Sequence, residues 1–254
     1  MNKKIFITAC FVTTVSFCFA QTSRQDSLAK EAAKTEVWTP VPAIITPGKN
    51  VGDAPSDAVI LFDGTNADQW ELENGAPAKF EIKNGAMTVV KKTGSPKTKK
   101  QFTDFQLHLE WKEPVPVKNN GQSRGNSGVF MQELYELQVL DSYDNITYPN
   151  GQCGAIYKQS IPLVNACRKP GEWQTYDVIW TAPKFNADGS LQSAARVTVL
   201  QNGVLIQNNF EVKGPTGWIG KEPYKAHGAK SIMLQDHGDD GNPVSFRNIW
   251  VRPL

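Results

Sequence analysis

The chain has 254 residues, 27 Lys+Arg against 25 Asp+Glu, a formal net charge of +2 and 40% hydrophobic residues. So even a charge balance offers nucleic acid no electrostatic footprint, and beyond the N-terminal segment no stretch approaches the roughly 20 apolar residues of a transmembrane helix. The length suits one all-β domain with a substantial core.

The chain opens with Lys3 and Lys4, then an apolar run from Ile5 that closes on Cys18-Phe19-Ala20. This is the pattern of a secretory signal peptide over residues 1–20, cleaved near Ala20, and it predicts a secreted or periplasmic protein. The bulky Phe17 before Cys18 argues against a lipoprotein, whose attachment site takes a small residue there. Cleavage removes two lysines and no acid, so the formal charge of +2 falls to zero. It also leaves Cys153 and Cys167 as the remaining cysteines, a disulfide candidate in an oxidising compartment, with two separately buried thiols as the alternative. Neither has a Cys or His at metal-ligand spacing, so no zinc site and no cofactor is predicted, with a divalent metal left open.

Residues 21–56 read as an extended, proline-rich lead-in with a short helix over 27–36. Residues 57–254 read as a β-domain that begins with Val59-Ile-Leu-Phe62. Strands are expected over 79–82 and 86–90 about the hairpin dipeptide Asn84-Gly85, and over 195–201 and 204–210 about Asn202-Gly203. Between them, Phe105-Gln-Leu-His-Leu-Glu-Trp111 alternates with Phe105, Leu107, Leu109 and Trp111 inward. Further strands are expected over 127–132, 135–140, 176–181, 232–235 and 244–251. After Ala58 no stretch keeps helical periodicity, so the class is all-β with two packed sheets.

The stretch Tyr135-Glu-Leu-Gln-Val-Leu-Asp141 sets polar side chains into a strand. Alternation puts Glu136 and Gln138 on one face, and Asp141 joins them only if a bulge follows Gln138. This reads as the acid-lined floor of a groove; a wet edge strand is the alternative. Arg124-Gly-Asn126-Ser offers donors for sugar hydroxyls or a carbonyl, or forms a self-bonded turn. Tyr157 suits stacking on a pyranose and Lys158 suits polarising a carbonyl, against a core tyrosine and a surface cation. Gln235-Asp-His237-Gly ends a strand with groups that hold hydroxyls and move protons near neutrality. Phe246, Asn248 and Trp250 are expected on one face of the last strand, and Arg247 on the other, as a groove cation or an acid's partner.

Asp57-Ala-Val-Ile-Leu-Phe-Asp-Gly64, Arg124-Gly-Asn-Ser-Gly-Val-Phe130, Tyr135-Glu-Leu-Gln-Val-Leu-Asp-Ser142, Gly154-Ala-Ile-Tyr157, Pro170-Gly-Glu-Trp-Gln-Thr-Tyr176, Leu234-Gln-Asp-His-Gly238 and Phe246-Arg-Asn-Ile-Trp250 together carry a resemblance. In their order and spacing the chain resembles the secreted bacterial 3-keto-disaccharide hydrolase family. The resemblance implies a concanavalin A-like jelly-roll sandwich of two antiparallel sheets with a sugar groove. Glu136, Gln138 and Asp141 also resemble the Glu-x-Asp-x-x-Glu signature of laminarinase-type glycosidases, with Gln for the central carboxylate and Asp for the distal one. That set lacks the two facing glutamates of a retaining double displacement.

What the resemblance implies chemically is hydrolysis of 3-keto-disaccharides or 3-keto-glycosides. A ketone at C3 acidifies the C2 proton; a base removes it, the C1 aglycone is eliminated and water adds back. Glu136 and His237 are expected to serve as base and acid, in either order, with Asp141 orienting one of them. Arg124, Lys158 and Arg247 are expected as donors to the enolate oxygen, Tyr157 as a stacking wall, and Asn126, Gln138 and Gln235 as partners of hydroxyls. A carbohydrate-binding module without catalysis and a conventional laminarinase-like glycosidase are the competing readings.

Overall fold

A computed structural model describes residues 24–220, 222–238 and 243–254; the expected signal peptide and the Asp239-Asp-Gly-Asn242 turn lie outside them. The chain divides into two units, Met1–Ile44 and Ile45–Leu254. In the first, residues 24–33 are helical, where a short helix over 27–36 was expected. The second begins inside the expected lead-in, because residues 45–56 are tied to the sandwich: the Gly52 carbonyl accepts from Asn248 Nδ2 at 3.0 Å and Trp250 Nε1 at 2.9 Å.

Fifteen strands lie among the described residues: β1 (Val59–Phe62), β2 (Trp70–Glu71), β3 (Phe80–Lys83), β4 (Ala86–Val89), β5 (Lys97–Thr98), β6 (Phe105–Lys112), β7 (Ser127–Met131), β8 (Tyr135–Val139), β9 (Gln174–Thr181), β10 (Lys184–Phe185), β11 (Leu191–Ser193), β12 (Arg196–Gln201), β13 (Val204–Glu211), β14 (Met233–Leu234) and β15 (Ser245–Pro253). One sheet has eight strands, ordered β13-β12-β9-β6-β15-β4-β3 with β1 also on β15; a second has five, ordered β2-β5-β14-β7-β8. All the pairings are antiparallel, and the result is a concanavalin-like sandwich.

Local chemistry explains these elements. Asn84 and Gly85 both take positive φ (54° and 72°), as do Asn202 and Gly203 (53° and 78°), the requirement of a two-residue turn whose twist matches its strands. In β6 the apolar residues Phe105, Leu107, Leu109 and Trp111 alternate into the core. They meet Val129 and Met131 of β7 and Tyr135, Leu137 and Val139 of β8, all fully buried. The short strands β2, β5, β10 and β11 carry too few residues to display a period and were not expected.

The last strand departs from simple alternation. Its pairing with β6 shifts register between Arg247 and Trp250, and Asn248 takes φ 46°, so one extra residue is absorbed there. Phe246, Ile249 and Val251 therefore all reach the core, while Trp250 stacks on His108 at 5.4 Å between ring centroids. The expected grouping of Phe246 with Trp250 fails for this reason.

Candidate active site

In β7 and β8, burial of Val129, Met131, Leu137 and Val139 leaves Asn126, Gly128 and Phe130 with Glu136 and Gln138 on the outer face of the five-stranded sheet. The register pairs Gly128 with Gln138 and Phe130 with Glu136 without a shift. On one side Gln235 follows β14 and donates its backbone N–H to the Gly128 carbonyl at 2.9 Å. On the other, Tyr157 returns along β8 and donates its N–H to the Glu136 carbonyl at 3.2 Å. Three chain segments remote in sequence thus set their polar side chains side by side.

They line a cavity of about 480 Å³ that contains Glu136, Gln138, Tyr157, Asn126, Gln235 and His237. Phe130, Thr216 and Trp218 complete it. A second cavity of about 340 Å³ shares Asn126, Gln235 and His237 with the first, so the two are lobes of one cleft that meet at those three residues.

Glu136 is 4% exposed, and burial alone pushes its carboxyl up to about 8. Its backbone N–H is held by Thr216 Oγ1 at 3.0 Å. Gly128 lies directly beneath: a β-carbon there would fall 2.6 Å from Glu136 Oε1 and 2.9 Å from Phe130 Cε2. Glycine at 128 is therefore the space the carboxyl occupies. Next to it Gln138 is fixed by donating to Asn126 Oδ1 at 2.9 Å, and Asn126 donates to the Gln122 carbonyl at 2.7 Å. The Tyr157 hydroxyl bonds that of Tyr148 at 2.7 Å; burial and that neighbour hold its phenol above the usual range, so it is a neutral donor. Gln235 Oε1 is buried without a partner.

Four expected residues lie elsewhere. The register of β7 and β8 runs unshifted to Val139, where β8 ends, and Asp141 beyond it is not among the residues that line the cleft. It is 2% exposed and takes Arg124 Nε on Oδ2 at 2.6 Å, while Arg124 also donates to the carbonyls of Tyr143 and Asp144 at 2.8 and 3.2 Å. Arg124 and Asp141 therefore fasten the turn after β8. Arg247 lies on the eight-stranded sheet, bonded to Glu110 at 2.6 Å and stacked 4.1 Å from the Trp173 centroid. Lys158 donates to the Trp218 carbonyl and lies 5.3 Å over the Tyr157 ring, outside the cleft but holding two pieces of its rim together.

Two further expectations change. Asp236 takes the N–H groups of Thr93, Gly94 and Gly238 at 3.0, 3.2 and 3.1 Å, so its carboxylate braces a neighbouring loop. Cys153 and Cys167 do come together but are free thiols, both accepting from Gln201 Nε2 at 3.3 Å, in place of the expected disulfide. Sequence reasoning missed Thr216 and Trp218, whose signal is Gly214-Pro-Thr-Gly-Trp218, a glycine-punctuated loop that ends in an aromatic left 76% exposed. Among the described residues no His, Cys, Asp or Glu cluster has the makings of a metal site, and no helix is long and apolar enough to cross a membrane.

The 3-keto-alpha-glucoside-1,2-lyase-like domain family matches residues 57–252. No curated protein matches the chain. Among solved structures, a "putative glycosyl hydrolase" of Parabacteroides distasonis is 53% identical over 87% of this chain and 96% of its own, with a TM-score of 0.85. Two more structures of that name and organism are 20% and 23% identical, each over 78% of this chain and 94% and 99% of their own, at TM-scores of 0.57 and 0.53. These two share the fold. With the family match spanning every strand of the sandwich and the first structure superposing at this identity, the chain belongs to the 3-keto-alpha-glucoside-1,2-lyase-like family.

Proposed function

We propose that the protein is a carbohydrate-acting hydrolase whose substrates are 3-keto-glucosides, cleaved by elimination and rehydration in the cleft over Glu136. The observation that carries this reading is the carboxyl of Glu136, buried and pushed up to about 8 among neutral amides and aromatic rings. Desolvation makes its carboxylate a stronger base than a free glutamate, which suits removal of a proton from carbon.

Glu136 takes the C2 proton and the C2–H electron pair forms the enolate with C3. As the C3 carbonyl re-forms, the pair becomes the C1–C2 double bond and the C1–oxygen bond breaks. His237, at the junction of the lobes, gives its proton to the departing oxygen. Water then adds across the double bond by the reverse proton transfers. The cleft-lining donors for the enolate oxygen are Tyr157 and Gln235, since Arg124, Lys158, Arg247 and the Gln138 amide are engaged elsewhere. Tyr157 and Trp218 give the pyranose its apolar walls. Glu136 is the single carboxyl among the described residues of this lobe, so a double displacement has no second carboxylate to use. We also place the enzyme outside the cytoplasm, on the leader read in residues 1–20.

The test is turnover of a 3-keto-α-glucoside by Glu136→Gln and His237→Ala proteins. Each is expected to lose about 10²- to 10⁴-fold in kcat. The parent's kcat/KM is expected to rise with pH as Glu136 ionises, the group being half ionised near 8. Unchanged rates in both variants, or a profile without a rise as pH approaches 8, removes this assignment.

A further inference from the structure

The second lobe of the cleft differs in chemistry from the first. Its walls include Val90 and Pro243, with the core residues Val89 and Val244, and three of its polar side chains are spent on the protein itself. Thr88 Oγ1 bonds Ser245 Oγ at 2.8 Å, Ser127 Oγ donates to the Gln235 carbonyl at 2.9 Å, and Asp236 holds the three N–H groups described above. Glu81 and Lys91 stand exposed at its rim. Aromatic rings, which a sugar would stack on, line the first lobe, and among its described residues the second has none.

We infer that this second lobe is the leaving-group subsite and that it selects apolar aglycones, alicyclic or alkyl, over a second sugar. The inference rests on the reading of the first lobe as the site of the 3-keto-glucosyl ring. Two observations fix the direction. Glu136 lines the first lobe alone, so the C2 proton it removes belongs there; His237 lines both, so the oxygen it protonates lies at the junction and the aglycone extends into the second lobe. The buried, unpartnered Oε1 of Gln235 at that junction accepts from a hydroxyl of the keto-sugar ring. Beyond it, the hydroxyls of a second sugar would exchange water for valine and proline with few free partners among the described residues, whereas an apolar ring of the same size exchanges water for apolar contact.

The experiment compares kcat/KM of the full chain for three 3-keto-α-glucosides carrying methyl, cyclohexyl and glucosyl groups at C1. Cyclohexyl matches a pyranose in size and is no better a leaving group than a sugar alkoxide, so its preference reports binding and not departure. The expected result is cyclohexyl over glucosyl by about tenfold or more. In Val90→Asp, a change at a position 38% exposed, the cyclohexyl-to-methyl ratio is expected to fall about tenfold. A preference for the glucosyl compound, or an unchanged ratio in the folded variant, overturns the subsite while leaving the activity in place. No turnover of any of the three overturns the activity itself, and the subsite with it.

Discussion

At the scale of single residues, the chemistry of the cleft depends on how Glu136 is seated. Removing it from water raises its pKa, and the missing β-carbon at 128 gives it the space to sit there. Gly128→Ala adds one methyl group at a position without positive φ, so the backbone tolerates it while the carboxyl must move. We expect kcat to fall about 10²-fold, the penalty of an ångström-scale misplacement, with the melting temperature little changed. Steady-state kinetics beside a thermal melt checks this; full activity in the alanine protein would show that the carboxyl is not held against Gly128. The residue list was largely legible before the fold was: Glu136, Gln138, Asn126, Tyr157, Gln235 and His237 meet in one cleft. Thr216 and Trp218 were not, because a threonine and an exposed tryptophan in a glycine-rich loop have no sequence signal that separates lining from surface.

At the scale of elements, what misled the reading was parity. A strand shows its faces only when its bulges are known, and a bulge leaves no mark on the identities of the residues beside it. One after Gln138 was the condition for Asp141 to join the site, and the register runs unshifted to Val139, where β8 ends; one was not expected in β15 and it falls at Asn248. Taking the first as met brought Asp141 into the site, and Arg124 was placed there on the strength of its donors. Both belong to an ion pair at the end of β8 whose side chains are 2% and 10% exposed. Charged pairs so deeply buried are costly to halve. Arg124→Leu is expected to destabilise by about 3 to 5 kcal/mol by stranding the Asp141 carboxylate, and the double change Arg124→Leu with Asp141→Leu by less. Urea unfolding of the parent and the two variants measures it. Equal losses in the single and double variants would mean that the two side chains act independently.

At the scale of the whole molecule, buried titratable groups on both sheets make stability a function of pH. Burial, chiefly, pushes Glu113 up to about 9 and Glu136 up to about 8; in the folded state each keeps a proton that an unfolded carboxyl of pKa 4.5 has released. Burial opposes charge on His108, but the hydrogen bond to Asp177 at 2.7 Å and the Glu110 carboxylate 4.0 Å away outweigh it and hold the imidazolium up to about 9. All three contributions are lost as pH rises from 4.5 or 6.5 towards 9. Glu110 acts in the opposite sense: the nearby His108 ring and hydrogen bonds from Asn248 and Arg247 overcome its burial and hold it at about 2, so its contribution is lost as pH falls below 4.5. Stability is expected to peak at about pH 4 to 5, where the losses from the raised and the lowered carboxyls balance, and to decline towards pH 9. Glu113→Gln should gain about 1 to 3 kcal/mol over the parent at pH 9 and little at pH 5, read from melts across that range. The sandwich itself was readable from alternation and two Asn-Gly hairpins, whereas this network of buried charges joins residues far apart in the chain and had no local signature. The central claim remains that the bond to the aglycone is broken by way of C2, with Glu136 as the base. Its most direct test is turnover of a 3-keto-α-glucoside in deuterated water, with the C2 position of the released sugar read early by mass spectrometry against the same sugar incubated alone. Loss of the original C2 hydrogen in the enzymatic product, abolished in Glu136→Gln, is the predicted result; a product that keeps its C2 hydrogen would contradict the account.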